Sequence, residues 1–380
     1  MKSLYRESLL KTLLFLLCTL IFQSIFAQSN TPPKREFRAV WVASVNNIDY
    51  PPRPNPYSIA LKEQWKKLVE KYKELGFNAL IVQIRPAGDA FYPSAHGPWS
   101  KYLTGQQGLP PEPLYNPLEF MVEETHKQGM EFHAWLNPYR ATMDLDTFNL
   151  AGNHMFFKHP EWMIRYGGKY YFNPAIPEVR QHISDVVEEV VKNYDIDAIH
   201  FDDYFYPYPI QGVPLQDTLD FIKYGRGFEK IEDWRRDNVD QLIEMVSVTI
   251  KQTKPHVKFG ISPFGVWRNR EKDPRGSDTR ASVGSYDDLY ADVLKWMRME
   301  WIDYVIPQLY WSLSFEVANH EKLLYWWSGN TFGKHLYIGH AAHKVGNNKD
   351  EAWLDAEEIP KQIRLNRRNF SSLGSAYFSA

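Results

Sequence analysis

Apolar residues arrive in two alternating rhythms along this chain. From Arg38 to Ser44 the sequence is a short Val-rich apolar run, which predicts a buried strand. From Ile59 to Leu75 the apolar positions Leu61, Trp65, Leu68, Val69, Tyr72 and Leu75 step by three and four, which predicts an amphipathic helix stopped at Gly76. The same exchange continues to the end. Strands are predicted at 78–85, 131–137, 197–201, 258–262, 303–308, 335–339 and 374–378. Helices are predicted at 117–128, 178–193, 232–253, 285–299, 315–327 and 357–369.

Strands separated by helices must run parallel, and eight of them imply a closed (β/α)8 TIM-type barrel. An open doubly wound sheet is the competing arrangement, but no Gly-rich phosphate turn follows the first strand. The sequence stops directly after the eighth strand, so the barrel is expected to lack the eighth helix. The long segments after strands two, three, four and five carry most of the irregular sequence. In a barrel they belong on the C-terminal face, where ligand sites form.

The first 27 residues read as an address rather than as structure. Lys2, Arg6 and Lys11 precede an apolar stretch from Thr12 to Ala27, which predicts a secretory signal peptide cleaved near Ala27. Residues 28–380 then form the barrel domain of an exported, periplasmic or extracellular protein, with no membrane span after cleavage. The segment also contains Glu7, so its removal takes the net charge from −2 to −4. A chain with that balance is no nucleic-acid binder, because phosphate binding needs a basic surplus. Its single Cys, Cys18, lies in the leader, which leaves the mature chain without a thiol nucleophile or a Cys-ligated metal. The 13 Trp, 23 Tyr and 22 Phe suit either a large aromatic core or a surface that stacks on sugar rings.

Polar side chains concentrate where the strands end. Strand two ends at Gln83 and Arg85, strand three reads His133-Ala-Trp135-Leu-Asn137-Pro-Tyr139-Arg140, and strand four reads His200-Phe-Asp202-Asp203. Strand five leads to Trp267, strand six to Gln308, Tyr310 and Trp311, and strand seven to His340. Alternation puts His200 and Asp202 on one face of strand four and Asp203 on the other. A basic side chain two residues away favours an ionised Asp202, able to act as a nucleophile or to stabilise an oxocarbenium ion. Asp203 is expected to be its partner or a structural support. Arg85, His133, Asn137, Tyr139, His200, Gln308, Tyr310 and His340 would bind substrate hydroxyl or carboxylate groups, and Trp135, Trp267 and Trp311 would stack on sugar rings.

Glycoside hydrolysis ordinarily needs a second carboxyl group as acid. None ends strands five, six or seven, which leaves the loop residues Asp89, Glu271, Asp273 and Asp278. Asp278 is preferred, since Gly276-Ser277 lets its loop fold inward. The missing strand-end acid favours a second reading, a glycan-binding barrel without turnover. A third is a metal-dependent deacetylase or other hydrolase built on His133, His200, His340, Asp202 and Asp203, although no HExxH or compact HxH cluster is present. The glycosidase reading calls for no metal or cofactor.

The motifs REFRAVWVAS (Arg35–Ser44), QIRPAGDAFYPS (Gln83–Ser94), HAWLNPYR (His133–Arg140), YFNPAIPEVR (Tyr171–Arg180), IHFDDYFYP (Ile199–Pro207), ISPFGVWRN (Ile261–Asn269) and DYVIPQLYW (Asp303–Trp311) together resemble the glycosyl hydrolase-like family 10 proteins. The resemblance runs from about Lys34 to Ala380. It implies an exported bacterial barrel of the glycosidase type, acting on a cell-envelope glycan such as peptide-free peptidoglycan strands. A looser similarity is to glycosidase clans whose strand four carries a basic residue, a spacer and a nucleophilic Asp. His200-Phe201-Asp202 matches that pattern, but Gln308 stands where those clans put an acid.

Overall fold

A computed structural model describes residues 35–380. The signal peptide predicted at 1–27 lies outside the described residues. Eight parallel strands close a barrel: β1 (Phe37–Val42), β2 (Ala79–Arg85), β3 (Glu131–Leu136), β4 (Ala198–Phe201), β5 (Lys258–Ile261), β6 (Tyr304–Val305), β7 (His335–His340) and β8 (Ser372–Tyr377). Closure is direct, with Phe37 of β1 opposite Gly374 of β8 and Val40 opposite Tyr377. Seven helices wrap the outside: α1 (Ser58–Glu74), α2 (Pro117–Lys127), α3 (Pro177–Asn193), α4 (Ile231–Thr253), α5 (Val293–Arg298), α6 (His320–Ser328) and α7 (Glu358–Arg368). After β8 the described residues run only from Phe378 to Ala380, and no helix follows among them.

The helices α1 to α6 each bury an apolar stripe, whereas α7 buries the polar Glu358, Gln362 and Asn366. Leu61, Trp65, Val69 and Tyr72 of α1 are buried, as the three-and-four spacing requires. Asn116 caps α2 by accepting the Glu119 amide, and Pro117 starts its first turn. The single helix expected at 285–299 is two pieces, Ser285–Asp288 and Val293–Arg298. Tyr290 between them sits at φ 54°, and Asp292 caps the second piece.

Two cores result from the two faces of the sheet. Outside, the Val, Leu and Ile side chains of the strands meet the helix stripes. Inside, Ala39, Trp41, Ala79, Ile81, Trp135, Ala198, Tyr304 and Ile306 fill the barrel. Small and large residues alternate there because the ring of strands has little room. A Cβ on Gly260 would lie 1.9 Å from the Tyr304 ring, so only glycine at that point of β5 lets the ring cross the axis. The Tyr304 hydroxyl lies 2.8 Å from His133 Nδ1 and 3.0 Å from His200 Nδ1. This polar column occupies the barrel axis beneath the C-terminal face.

The segment between β3 and α3 contains a hairpin, Met163–Tyr166 paired with Lys169–Phe172. Gly167 and Gly168 turn it with φ of 55° and 79°, which side chains other than glycine resist. The hairpin pairs back onto the chain leaving β3, where Arg140 bridges to Tyr171. That pairing fixes the start of the β3 loop over the barrel mouth.

Candidate active site

At the C-terminal ends of the strands lies a cavity of about 460 Å³. Its floor and walls include Trp41, Gln83, Trp135, Asp202, Asp203 and Ser262, with Gln308, Tyr310 and Trp311 on the β6 side. Further residues are Ala43, Val45, Ile48, Arg140, Tyr204, Tyr208, Phe264, His343, Lys344 and Phe378, so aromatic rings are prominent on its surface. Asp202 and Asp203 are the only carboxylates among its lining residues.

Asp202 is held by donors from three directions. Trp135 Nε1 donates to Oδ2 at 3.2 Å, the Asn137 amide also donates to Oδ2, and the Tyr204 backbone N–H donates to Oδ1 at 3.3 Å. Asn137 is itself oriented. Gln83 donates to its carbonyl oxygen, while the Gln83 carbonyl oxygen accepts the Ser44 and Val45 amides at 3.0 and 2.8 Å. Burial raises the Asp202 carboxyl above its ordinary value, and the Arg140 guanidinium and these donors oppose the rise.

Asp203 receives the Tyr208 hydroxyl, and Gln308 also donates to it. Gln308 anchors its own amide on the Ser262 carbonyl at 2.9 Å. Burial first, and the neighbouring Asp202 charge second, push the Asp203 carboxyl up to about 7. Two adjacent carboxyl groups therefore have different surroundings: Asp202 faces a cation and three fixed donor groups, while Asp203, with Tyr208 and Gln308 as donors, faces another carboxylate. The cation and donors oppose the rise at Asp202, whereas Asp203 is set up to keep a proton near neutrality.

This fold and chemistry have counterparts. Residues 36–355 match the family model described as Glycosyl hydrolase-like 10. The chain belongs to that family. It is 50% identical to "Glycosyl hydrolase YngK" of Bacillus subtilis (strain 168) over 378 residues, 98% of this chain and 74% of that protein. It is 39% identical to "Glycosyl hydrolase DigH" of Escherichia coli (strain K12) over 362 residues, 89% of this chain and 81% of that one. Among solved structures, the glycoside hydrolase domain of PgaB (BpsB) from Bordetella bronchiseptica superimposes with a TM-score of 0.57 at 13% identity, covering 90% of this chain and 94% of that domain. At that identity the likeness concerns the barrel alone.

For this member of the family the site differs from the sequence expectation in several places. Asp203 does not face the helix layer. β4 ends at Phe201, alternation ceases there, and both carboxylates line the cavity. His200 does not support Asp202. Its Nε2 lies 2.9 Å from Ser262 Oγ and its Nδ1 faces Tyr304, and burial together with His133 holds it well below the usual imidazole range, hence neutral. Arg140 takes the part expected of it. Asp278 is on the surface, 3.1 Å from Lys322 Nζ, and is not a cavity residue. Its loop is closed instead by Ser277, which is buried and bonded to Arg268 and Thr279.

Trp135, Gln308, Tyr310 and Trp311 reach the cavity, and Asn137 supports Asp202 from behind it. The remaining expected ligands do not line it. His133 lies deeper in the barrel, between Tyr304 and Glu131. Arg85 donates to the His96 carbonyl at 3.0 Å, and Tyr139 is fully buried. Trp267 is buried and stacks on Trp326. His340 is packed outside the barrel with Gln362, Ser375 and Asn366. His133 and His200 thus share the Tyr304 hydroxyl inside the barrel, whereas His340 is engaged outside it. Among the described residues no group of three His, Asp, Glu or Cys side chains could hold a metal ion.

Proposed function

We propose that this chain is an exported glycoside hydrolase that cleaves a bacterial cell-envelope glycan, with peptide-free peptidoglycan strands as the first substrate to test. The carrying observation is the adjacent pair at the end of β4, with Asp203 raised to about 7 beside an Asp202 tied to three donors and facing Arg140. In this reading Asp203 protonates the leaving glycosidic oxygen, and the ionised Asp202 stabilises the positive charge that develops at the sugar. The pair supplies an acid where Gln308 replaces the one expected on β6, so Gln308 becomes a positioning residue for Asp203. Trp135, Trp311, Tyr204 and Phe264 offer ring faces for sugar stacking, and Arg140 and Lys344 offer charge for substrate carboxylates.

Export rests on the basic and then apolar segment at residues 1–27. Among the described residues no helix is long and apolar enough to cross a membrane. The test is incubation of the mature protein with purified glycan strands and mass analysis of the products. Fragments heavier than the parent segments by one water per cut support hydrolysis. Strands recovered intact, with the protein folded and bound to them, would favour the glycan-binding reading.

A further inference from the structure

The cavity has a carboxylate on one wall only. Asp202 and Asp203 are consecutive residues at the end of β4, and the wall across the barrel is built from Trp41, Val45, Phe378, His343 and Lys344. Asp49, in the loop after β1, turns instead to the Ala43 amide at 2.7 Å and the Ser379 hydroxyl at 3.0 Å, and does not line the cavity. Hydrolysis by two protein carboxylates needs them on either side of the scissile bond, one to protonate the leaving oxygen and one to attack carbon or activate water behind it. No second carboxylate of this cavity stands in that place.

Nor is Asp202 free to attack. Its Oδ2 already accepts from Trp135 and Asn137, and its Oδ1 accepts from the Tyr204 amide. A carboxylate offers about four acceptor positions, so one remains, on Oδ1. That vacancy suits a single N–H donor on the substrate. Tyr310 lines the cavity together with the pair, and its hydroxyl, raised by burial first and by both carboxylates after it, makes no hydrogen bond among the described residues. The indoles of Trp41 and Trp135 supply apolar surface next to Asp202. One acceptor, one free donor and an apolar wall together match an acetamido group: N–H, C=O and methyl.

We infer that the substrate is a 2-acetamido sugar whose own carbonyl oxygen is the nucleophile, oriented by Asp202 and Tyr310. This rests on the hydrolase reading above. As the acetamido oxygen bonds to C1, the glycosidic C1–O bond breaks and the leaving oxygen takes the proton of Asp203. The resulting ring cation keeps its N–H on Asp202, whose charge balances it. Water then attacks C1 and gives a proton to the Asp203 carboxylate. The bond from C1 to the acetamido oxygen breaks, the acetamide is restored, and the sugar leaves with its original anomeric configuration. One water is consumed and Asp203 regains its proton.

The experiment compares peptide-free glycan strands as isolated, after enzymatic N-deacetylation, and after re-acetylation with acetic anhydride. The expected result is a rate lowered by roughly a thousandfold or more on deacetylation, the loss of an intramolecular nucleophile, and restored on re-acetylation. Product anomers followed by NMR should show retention. A 1,2-fused thiazoline of N-acetylglucosamine should inhibit competitively, and Asp202→Asn should abolish that inhibition without lowering the melting temperature. Equal cleavage of acetylated and deacetylated strands, or inversion at C1, would overturn the inference and leave the hydrolase reading standing. Cleavage of neither form would overturn the hydrolase reading, and the inference with it.

Discussion

Replacing Asp203 with Asn should change how the stability of this barrel depends on pH. The carboxyl rises from an ordinary 3.8 to about 7 in the fold, chiefly through burial and secondly through Asp202. A raised carboxyl means that the native state holds the proton more tightly than the unfolded chain. The resulting stabilisation is complete below the unfolded value and is lost as pH rises through about 7. Between about pH 5 and pH 7 the loss runs at about 1.4 kcal/mol per pH unit, or roughly 3 kcal/mol in all. Asparagine keeps the shape and an acceptor for the Tyr208 hydroxyl but has no proton to lose. The variant should therefore gain roughly 3 kcal/mol relative to the parent between about pH 5 and pH 8, about 4 °C in melting temperature for a domain of this size. Differential scanning calorimetry on both proteins at the two pH values reads the difference, and shared titrations cancel. Parallel melting curves at both pH values would show that Asp203 titrates normally, and its role as the acid would fall.

Other consequences follow from named contacts. Gly260→Ala drives a methyl group into the Tyr304 ring and should destabilise by about 3 kcal/mol, measured by chemical denaturation; an unchanged midpoint would mean the ring does not cross the axis as described. Asp278→Asn should leave turnover and melting temperature unaltered, because the group is a solvated surface carboxylate; loss of activity would return it to the mechanism. Gln83→Ala frees Asn137 and thereby Asp202, so kcat should fall by roughly tenfold or more with little change in KM, in a pattern opposite to lost sugar binding.

The barrel was legible in the sequence because its two rhythms are strong. Val-rich runs and three-and-four helices alternate without interruption, and all eight strands and seven helices have counterparts near their expected positions. The hairpin at Met163–Phe172 was less visible because it lies within a long segment whose apolar residues follow neither rhythm. Gly167-Gly168 between short aromatic runs was its available signal. That omission hid Arg140, whose place over Asp202 depends on pairing with the hairpin.

The site was legible as a set of strand ends but not as a set of directions. Trp135, Gln308, Tyr310 and Trp311 reach the cavity, whereas His133 and His200 sit one or two residues deeper, where the barrel is closed and their hydrogen bonds are satisfied internally. Alternation failed at Asp203 because a strand's parity holds only while its ladder does, and β4 ends at Phe201. Tyr204 and Tyr208, missed as ligands, lie in the aromatic run directly after Asp203, which was visible as composition without a geometry.

The central claim is that the pair at the end of β4 performs the chemistry. The measurement that bears on it most directly is turnover of purified glycan strands by the parent, Asp202→Asn and Asp203→Asn proteins, with affinity and melting temperature measured alongside. Each substitution should lower kcat by roughly a thousandfold or more, about 4 kcal/mol of transition-state stabilisation, while strands still bind and the fold persists. Undiminished turnover in both folded variants would contradict the account and move the chemistry away from this cavity.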